Sequence, residues 1–209
     1  MSVVAVVAIW VTYLTGWTVL RQSLTRLPRP RWGAVLLWCV VAVPSLVQLL
    51  WAPELLEWGG RDASAIASGE WWRLATSIVL QDGGWFGTVF NLSMLAVTLL
   101  LIGDVCRGLT CVSVFLVGGV LANVLTLWTT GQSGAGNSMA TMCLLAAMAV
   151  TVAWPRRPAR EVLVPCALLV VATLSLVVTG DEHGPAVVLG IVAGAALARW
   201  PSGKTAWRG

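Results

Sequence analysis

GQSGAGNSMATMC, residues Gly131–Cys143, is a run of small and polar residues that opens directly onto an apolar segment ending at Trp154. The last apolar segment begins in the same manner: Gly180-Asp181-Glu182-His183 leads into it, and His183 is the only histidine of the chain. The first turn of a helix leaves backbone N–H groups free and carries the positive end of the helix dipole. A serine hydroxyl placed there lies near donors that steady developing negative charge, and a neutral imidazole is the usual group to take its proton. Ser138 and His183 are therefore the candidate nucleophile and base, provided the fold brings their helix starts together. Asn137 is expected to cap the helix that Ser138 enters. Asp181 and Glu182, two and one residues before His183, are not expected to face its ring across a helix.

The 209 residues are 58% hydrophobic and 11% charged, with a net charge of +4. That composition excludes an ordinary soluble domain and indicates a polytopic membrane protein built from spans of roughly 17–25 residues. Spans are expected at residues 1–20, 33–51, 85–102, 109–129, 138–154, 162–179 and 184–197, and each must be a helix because lipid offers no partners for backbone groups. Residues 52–84 read as a long polar connection. The five cysteines (Cys39, Cys106, Cys111, Cys143 and Cys166) form no CxxC, and read as small buried hydrophobes rather than a zinc site or disulfide frame. No early Lys or Arg and no small-residue cleavage site precede the first basic cluster, so the first span reads as retained.

Charge orients the spans. All of the 13 basic residues except Arg61 and Arg73 fall in one alternate set of loops: Arg21–Arg31, Arg107, Arg156–Arg160 and the tail from Arg199. The opposite set holds Glu54, Glu57, Asp62, Glu70, Asp82, Asp181 and Glu182. By the excess of positive charge on cytoplasmic loops, the N-terminus is expected outside and the C-terminus in the cytoplasm. Ser138 and His183 then fall on the same, outer side. Trp51, Trp71, Trp72, Trp85, Trp128, Trp154 and Trp200 stand near span ends, as interfacial anchors do. No charged residue lies deep in an apolar span, which argues against a transporter or channel. After His183, Ala186, Gly190 and Gly194 share one helix face and allow close packing against a neighbour.

Several short motifs resemble those of the rhomboid family, in order and spacing, across roughly residues 33 to 199. Gly69-Glu70-Trp71-Trp72-Arg73-Leu74 resembles the Trp-Arg motif of the family's first outer loop. Gly84-Trp85 and Phe90-Asn91 resemble the start of its second core helix, where HxxxN is usual. Gly103-Asp104 to Arg107-Gly108 resembles the next inner turn, and Gly136-Asn137-Ser138-Met139-Ala140 with Leu144 resembles the nucleophile motif GxSG-A. His183 with Ala186 and Gly190 resembles the last helix, His-x-x-Gly-x-x-x-Gly.

The resemblance implies an all-α membrane protein with a rhomboid-like six-helix core at 33–199. It adds one extra N-terminal transmembrane helix at 1–20, a basic cytoplasmic linker at 21–32 and a cytoplasmic tail at 200–209, seven spans in a bacterial-type cell membrane. It implies an intramembrane serine endopeptidase with a Ser138–His183 dyad, in which Asn91 helps bind the oxyanion and Trp72 and Arg73 serve structure and the lipid interface. Its partners would be transmembrane protein substrates within the lipid bilayer; no metal, other cofactor or nucleic acid is implied. Two positions depart from the family pattern. Gly87 replaces the histidine four residues before Asn91, removing one donor, and Met139 replaces the glycine after the serine, where its side chain is expected to crowd the oxyanion site. Both favour an alternative, a catalytically inactive rhomboid-like protein that binds transmembrane helices. A second register also exists, since Gly131-Gln132-Ser133-Gly134 is a literal GxSG. Ser138 is preferred, because a helix begun at Ser133 would place Gly136 and Asn137 in its first turns, where both are poor formers.

Overall fold

In the computed structural model of the protein, residues 2–24, 28–103, 105, 106, 108–156 and 160–199 are described. Asp104, Arg107, Arg26, Arg157 and the expected tail at 200–209, with Trp200, lie outside them. Seven long apolar helices make the bundle: α1 (Val3–Arg21), α2 (Trp32–Leu50), α6 (Gly84–Ile102), α7 (Leu109–Thr130), α8 (Ser138–Ala153), α9 (Arg160–Val178) and α10 (His183–Arg199). Three short helices, α3 (Glu54–Gly59), α4 (Ala63–Ala67) and α5 (Arg73–Thr76), occupy the connection after α2, and a single 3₁₀ turn, Trp154–Arg156, follows α8. Helix ends fall within about two residues of the expected spans, as they do when apolar length sets them.

α8 is the axis of the molecule. Every residue from Met139 to Ala149 is buried, and α8 packs against α10, α7, α1 and α6. A helix apolar all round is stable only at such a centre. Its neighbours approach through small residues, since lipid supplies no hydrophobic drive between helices. A Cβ on Gly190 or Gly194 of α10 would collide with the carbonyl oxygens of Cys143 and Ala147, and one on Gly16 of α1 would stand 2.7 Å from Leu145 Cγ. The Ala186–Gly190–Gly194 face thus meets α8. α1 lies against α9 and α8 and touches α6, while α2 packs on α6.

Five of these helices are 19 to 22 residues long and apolar enough to cross a membrane, whereas α8 and α10 have only 16 and 17 residues. At 1.5 Å per residue α8 spans about 24 Å, against a hydrocarbon layer of about 30 Å. The two short helices are the two that start at Ser138 and His183.

The connection at 52–84 is a folded cap rather than an open polar loop. Arg61 and Arg73, expected as charges of an open loop, are only 2% and 9% exposed. Arg73 donates to Glu70 Oε2 (2.6 Å) and to the carbonyl oxygens of Glu57 (2.7 Å) and Gly60 (3.0 Å), tying α5 to the end of α3 and to the segment that follows α4. Trp72 stacks on Trp58 with ring centroids 6.1 Å apart.

Candidate active site

The loop before Ser138 is held by the cap, residue by residue. Gly131 closes α7 in the left-handed conformation (φ 66°), with its N–H bonded to the carbonyls of Leu127 and Thr126, a conformation glycine adopts without Cβ strain. Gly134 forms an antiparallel bridge with Arg61, its N–H donating at 3.0 Å and its carbonyl accepting at 2.8 Å. Ala135 N–H donates to Asp82 Oδ2 at 2.9 Å, and Gly136 N–H donates to the Ser77 carbonyl at 2.9 Å. The chain is therefore fixed before it enters α8. In the GQSG register, Gly131 ends one helix, Gly134 is a bridge residue, and Ser133 is exposed on the loop.

The structure brings Ser138 and His183 together. Ser138 Oγ lies 2.9 Å from His183 Nε2, across 45 residues of sequence. His183 is 7% exposed and Ser138 is half-buried. Both line a cavity of about 370 Å³ with Asn91, Asp82, Ala135 and Glu182. Another wall comes from α1, through Val6, Ile9, Trp10 and Tyr13, and Phe86 and Phe90 extend the α6 side beside Asn91. The wall from α1 was not legible in the sequence, because nothing in an apolar span says which neighbour it meets.

Asn91 sits at this cavity, and its side-chain amide donates to Gln81 Oε1 at 2.8 Å, leaving a second N–H on the same nitrogen. Gln81 Nε2 in turn donates to Asn137 Oδ1 (2.8 Å) and Ser45 Oγ (3.2 Å), and Gln81 N–H donates to Gln48 Oε1 (3.0 Å). This buried network fixes the Asn91 amide from below. Gln81 ends the apolar run Ile78-Val79-Leu80; that polar interruption was its one sequence signal.

Three expectations are corrected. Asn137 makes no side-chain cap for α8. Its backbone is already helical (φ −79°, ψ 0°), which turns the amide away from the free N–H groups. That amide donates instead to Thr141 Oγ1 (3.0 Å) and the Asn91 carbonyl (3.1 Å). Met139 does not crowd the cavity. One residue on from Ser138 is about 100° around the helix, so its sulfur lies near Arg61 Nη1 (3.8 Å) and Thr126 Oγ1 (3.7 Å), packed with Ala122, Cys143 and Ala186.

Asp181, against expectation, does face His183: Oδ1 lies 2.7 Å from Nδ1 and accepts the backbone N–H of His183 at 3.1 Å. Asp181 is not on the helix but in the turn before it, so the geometry of helix faces does not govern it. Burial pushes its carboxyl up, but hydrogen bonds from the ring and backbone of His183, with the ring's charge when protonated, outweigh this and hold it below the usual range. Glu182 turns the other way and pairs with Arg61, whose guanidinium also donates to Asn123 Oδ1 (2.5 Å) and the Gln132 carbonyl (2.9 Å). Gly87 lies in α6 with no heavy atom within 4 Å of where a Cβ would stand. Among the described residues no cluster of His, Cys, Asp and Glu could hold a metal ion.

A sequence model described as the rhomboid domain matches residues 68–201. That stretch contains Gln81, Asn91, Ser138, Asp181 and His183. No curated protein matches the chain significantly.

Proposed function

The chain belongs to the rhomboid family, and from that premise we propose that it is an intramembrane serine endopeptidase, cutting peptide bonds in or near the transmembrane segments of other membrane proteins. The observation that carries this reading is the 2.9 Å contact of Ser138 Oγ with His183 Nε2 inside a cavity. In this reading residues 33–199 form the six-helix core and 1–20 the additional helix, joined by a cytoplasmic linker at 21–32.

The chemistry follows from the positions of the groups. Ser138 Oγ attacks the scissile carbonyl carbon as its proton passes to His183 Nε2. The carbonyl oxygen becomes an oxyanion beside the free N–H groups of the first turn of α8 and the spare N–H of Asn91. Collapse expels the amine, which takes the proton from Nε2, and leaves an acyl-enzyme on Ser138. Water then attacks with His183 again as base, and the acid departs as Ser138 regains its proton. The shortness of α8 and α10 supports water access, since it lets both helix starts lie below the surface of a 30 Å layer.

The second reading, a rhomboid-like protein that binds transmembrane helices without cleaving them, is favoured by Gly87 alone. A missing oxyanion donor costs about 3–4 kcal/mol of transition-state stabilisation. Met139 no longer supports it, since that side chain lies outside the cavity.

A fluorophosphonate probe on the detergent-purified protein separates the two. Labelling that vanishes in Ser138→Ala and persists in Ser133→Ala is the expected result. An unlabelled wild-type protein between about pH 5 and 9 would give the helix-binding reading the better claim.

A further inference from the structure

We propose that Asp181 is the positioning residue for His183, so that the site works as a triad of Ser138, His183 and Asp181 rather than as a serine–histidine pair alone. The inference rests on the proteolytic reading for its meaning in catalysis, but its physical core concerns the imidazole alone.

An ionised carboxylate only accepts hydrogen bonds. With Oδ1 at 2.7 Å from Nδ1, the ring proton belongs on Nδ1. Nε2 is then the bare nitrogen, and it is the one 2.9 Å from Ser138 Oγ. The opposite tautomer would put a proton on Nε2 and leave it unable to take one from serine. Asp181 is itself placed: the same Oδ1 accepts the backbone N–H of His183, and its side chain is 9% exposed. The bond is thus shielded from bulk water, where such a contact would be worth little. The proton taken from Ser138 also leaves a positive ring, which the carboxylate steadies.

Two other acids are near enough to be considered. Glu182 is turned to Arg61, and Asp82 accepts the Ala135 N–H at 2.9 Å. Each has a partner of its own, and neither is bonded to the ring. The local sequence explains why the carboxylate falls to Asp181. It stands in the turn closed by Gly180 at φ 66°, with Asp181 N–H on the Leu176 carbonyl (3.0 Å) and the Asp181 carbonyl on Gly184 N–H (3.0 Å).

The single histidine makes the test clean, since protein labelled with ¹⁵N-histidine gives one imidazole spectrum. In wild-type protein the neutral ring should carry its proton on Nδ1. Asp181→Ser keeps an oxygen for the backbone N–H but falls short of the ring. It should move the proton toward Nε2 and lower kcat on a transmembrane substrate by tenfold to roughly 10⁴-fold with KM nearly unchanged. Asp181→Asn keeps the shape but removes the charge and offers an amide N–H that can face Nδ1, so it too should move the proton toward Nε2 and lower kcat, by up to about 10⁴-fold, at constant KM.

A wild-type ring protonated on Nε2, or a tautomer and kcat untouched by Asp181→Ser, would overturn the proposal; so would a loss confined to KM or to the melting temperature. If Asp181→Ser fails to fold, Asp181→Asn must still lower kcat at constant KM. A wild-type protein with the Nδ1–H tautomer and no fluorophosphonate labelling sinks the proteolytic reading while leaving the placement of His183 by Asp181 standing.

Discussion

Ser138 and His183 were legible as residues because chemistry restricts the choice: one histidine, and a serine at a helix start on the same expected side. Asp181 and Asn137 show why the same logic misjudged their neighbours. Both assignments assumed that a residue near a helix start behaves as helix geometry dictates, yet Asp181 belongs to a turn and Asn137 already has a helical backbone. The register proposed for the nucleophile rests at this scale on backbone roles: Gly131 and Gly134 of the literal GxSG are a helix end and a bridge. The sign of the pH dependence is definite for Asp181. Its carboxyl is lowered in the fold, so its share of stability is complete above the ordinary carboxylate range and fades as pH falls through the lowered value. The difference in melting temperature between wild type and Asp181→Asn should therefore shrink as the solution is acidified below about pH 5. A difference that grows below about pH 5 would contradict the assignment.

α8 and α10 are the elements on which the site depends. Each carries one of the two groups, and their approach is set by Gly190 and Gly194 against the backbone of α8. Gly190→Leu should push the helices apart, lower stability by about 1–3 kcal/mol and abolish probe labelling of Ser138. Val192→Leu, at a position 61% exposed on the same helix, should change neither. Equal labelling of both variants would show that the helix contact does not set the site. α1 is a different case: its apolar length announced a span, but its place against α9, α8 and the cavity could not be read from a helix without polar markers. The short helices of the cap were also missed. Runs of four to six residues have too few turns for a periodic signal, and their order comes from the buried Arg73 and Arg61.

Seen as a whole, the molecule is an all-α, multi-pass membrane protein arranged around one central helix that is buried from Met139 to Ala149. The distribution of basic residues predicts the N-terminus outside and the C-terminus in the cytoplasm. Reporter fusions in cells check this: an enzyme active only outside should work at the N-terminus and fail at the C-terminus. The reverse pattern would place the Ser138 cavity on the cytoplasmic face.

The sequence by itself determined the fold class, the number and approximate ends of the long helices, the family and the candidate pair, because apolar length and the scarcity of histidine are properties of the chain alone. Only the tertiary structure decided that Ser138 and His183 touch, that Asp181 holds the ring, that Gln81 holds Asn91 and that α1 walls the cavity. These are contacts between distant segments or choices of a turn, and their energies depend on which groups burial leaves without water, which no local pattern records.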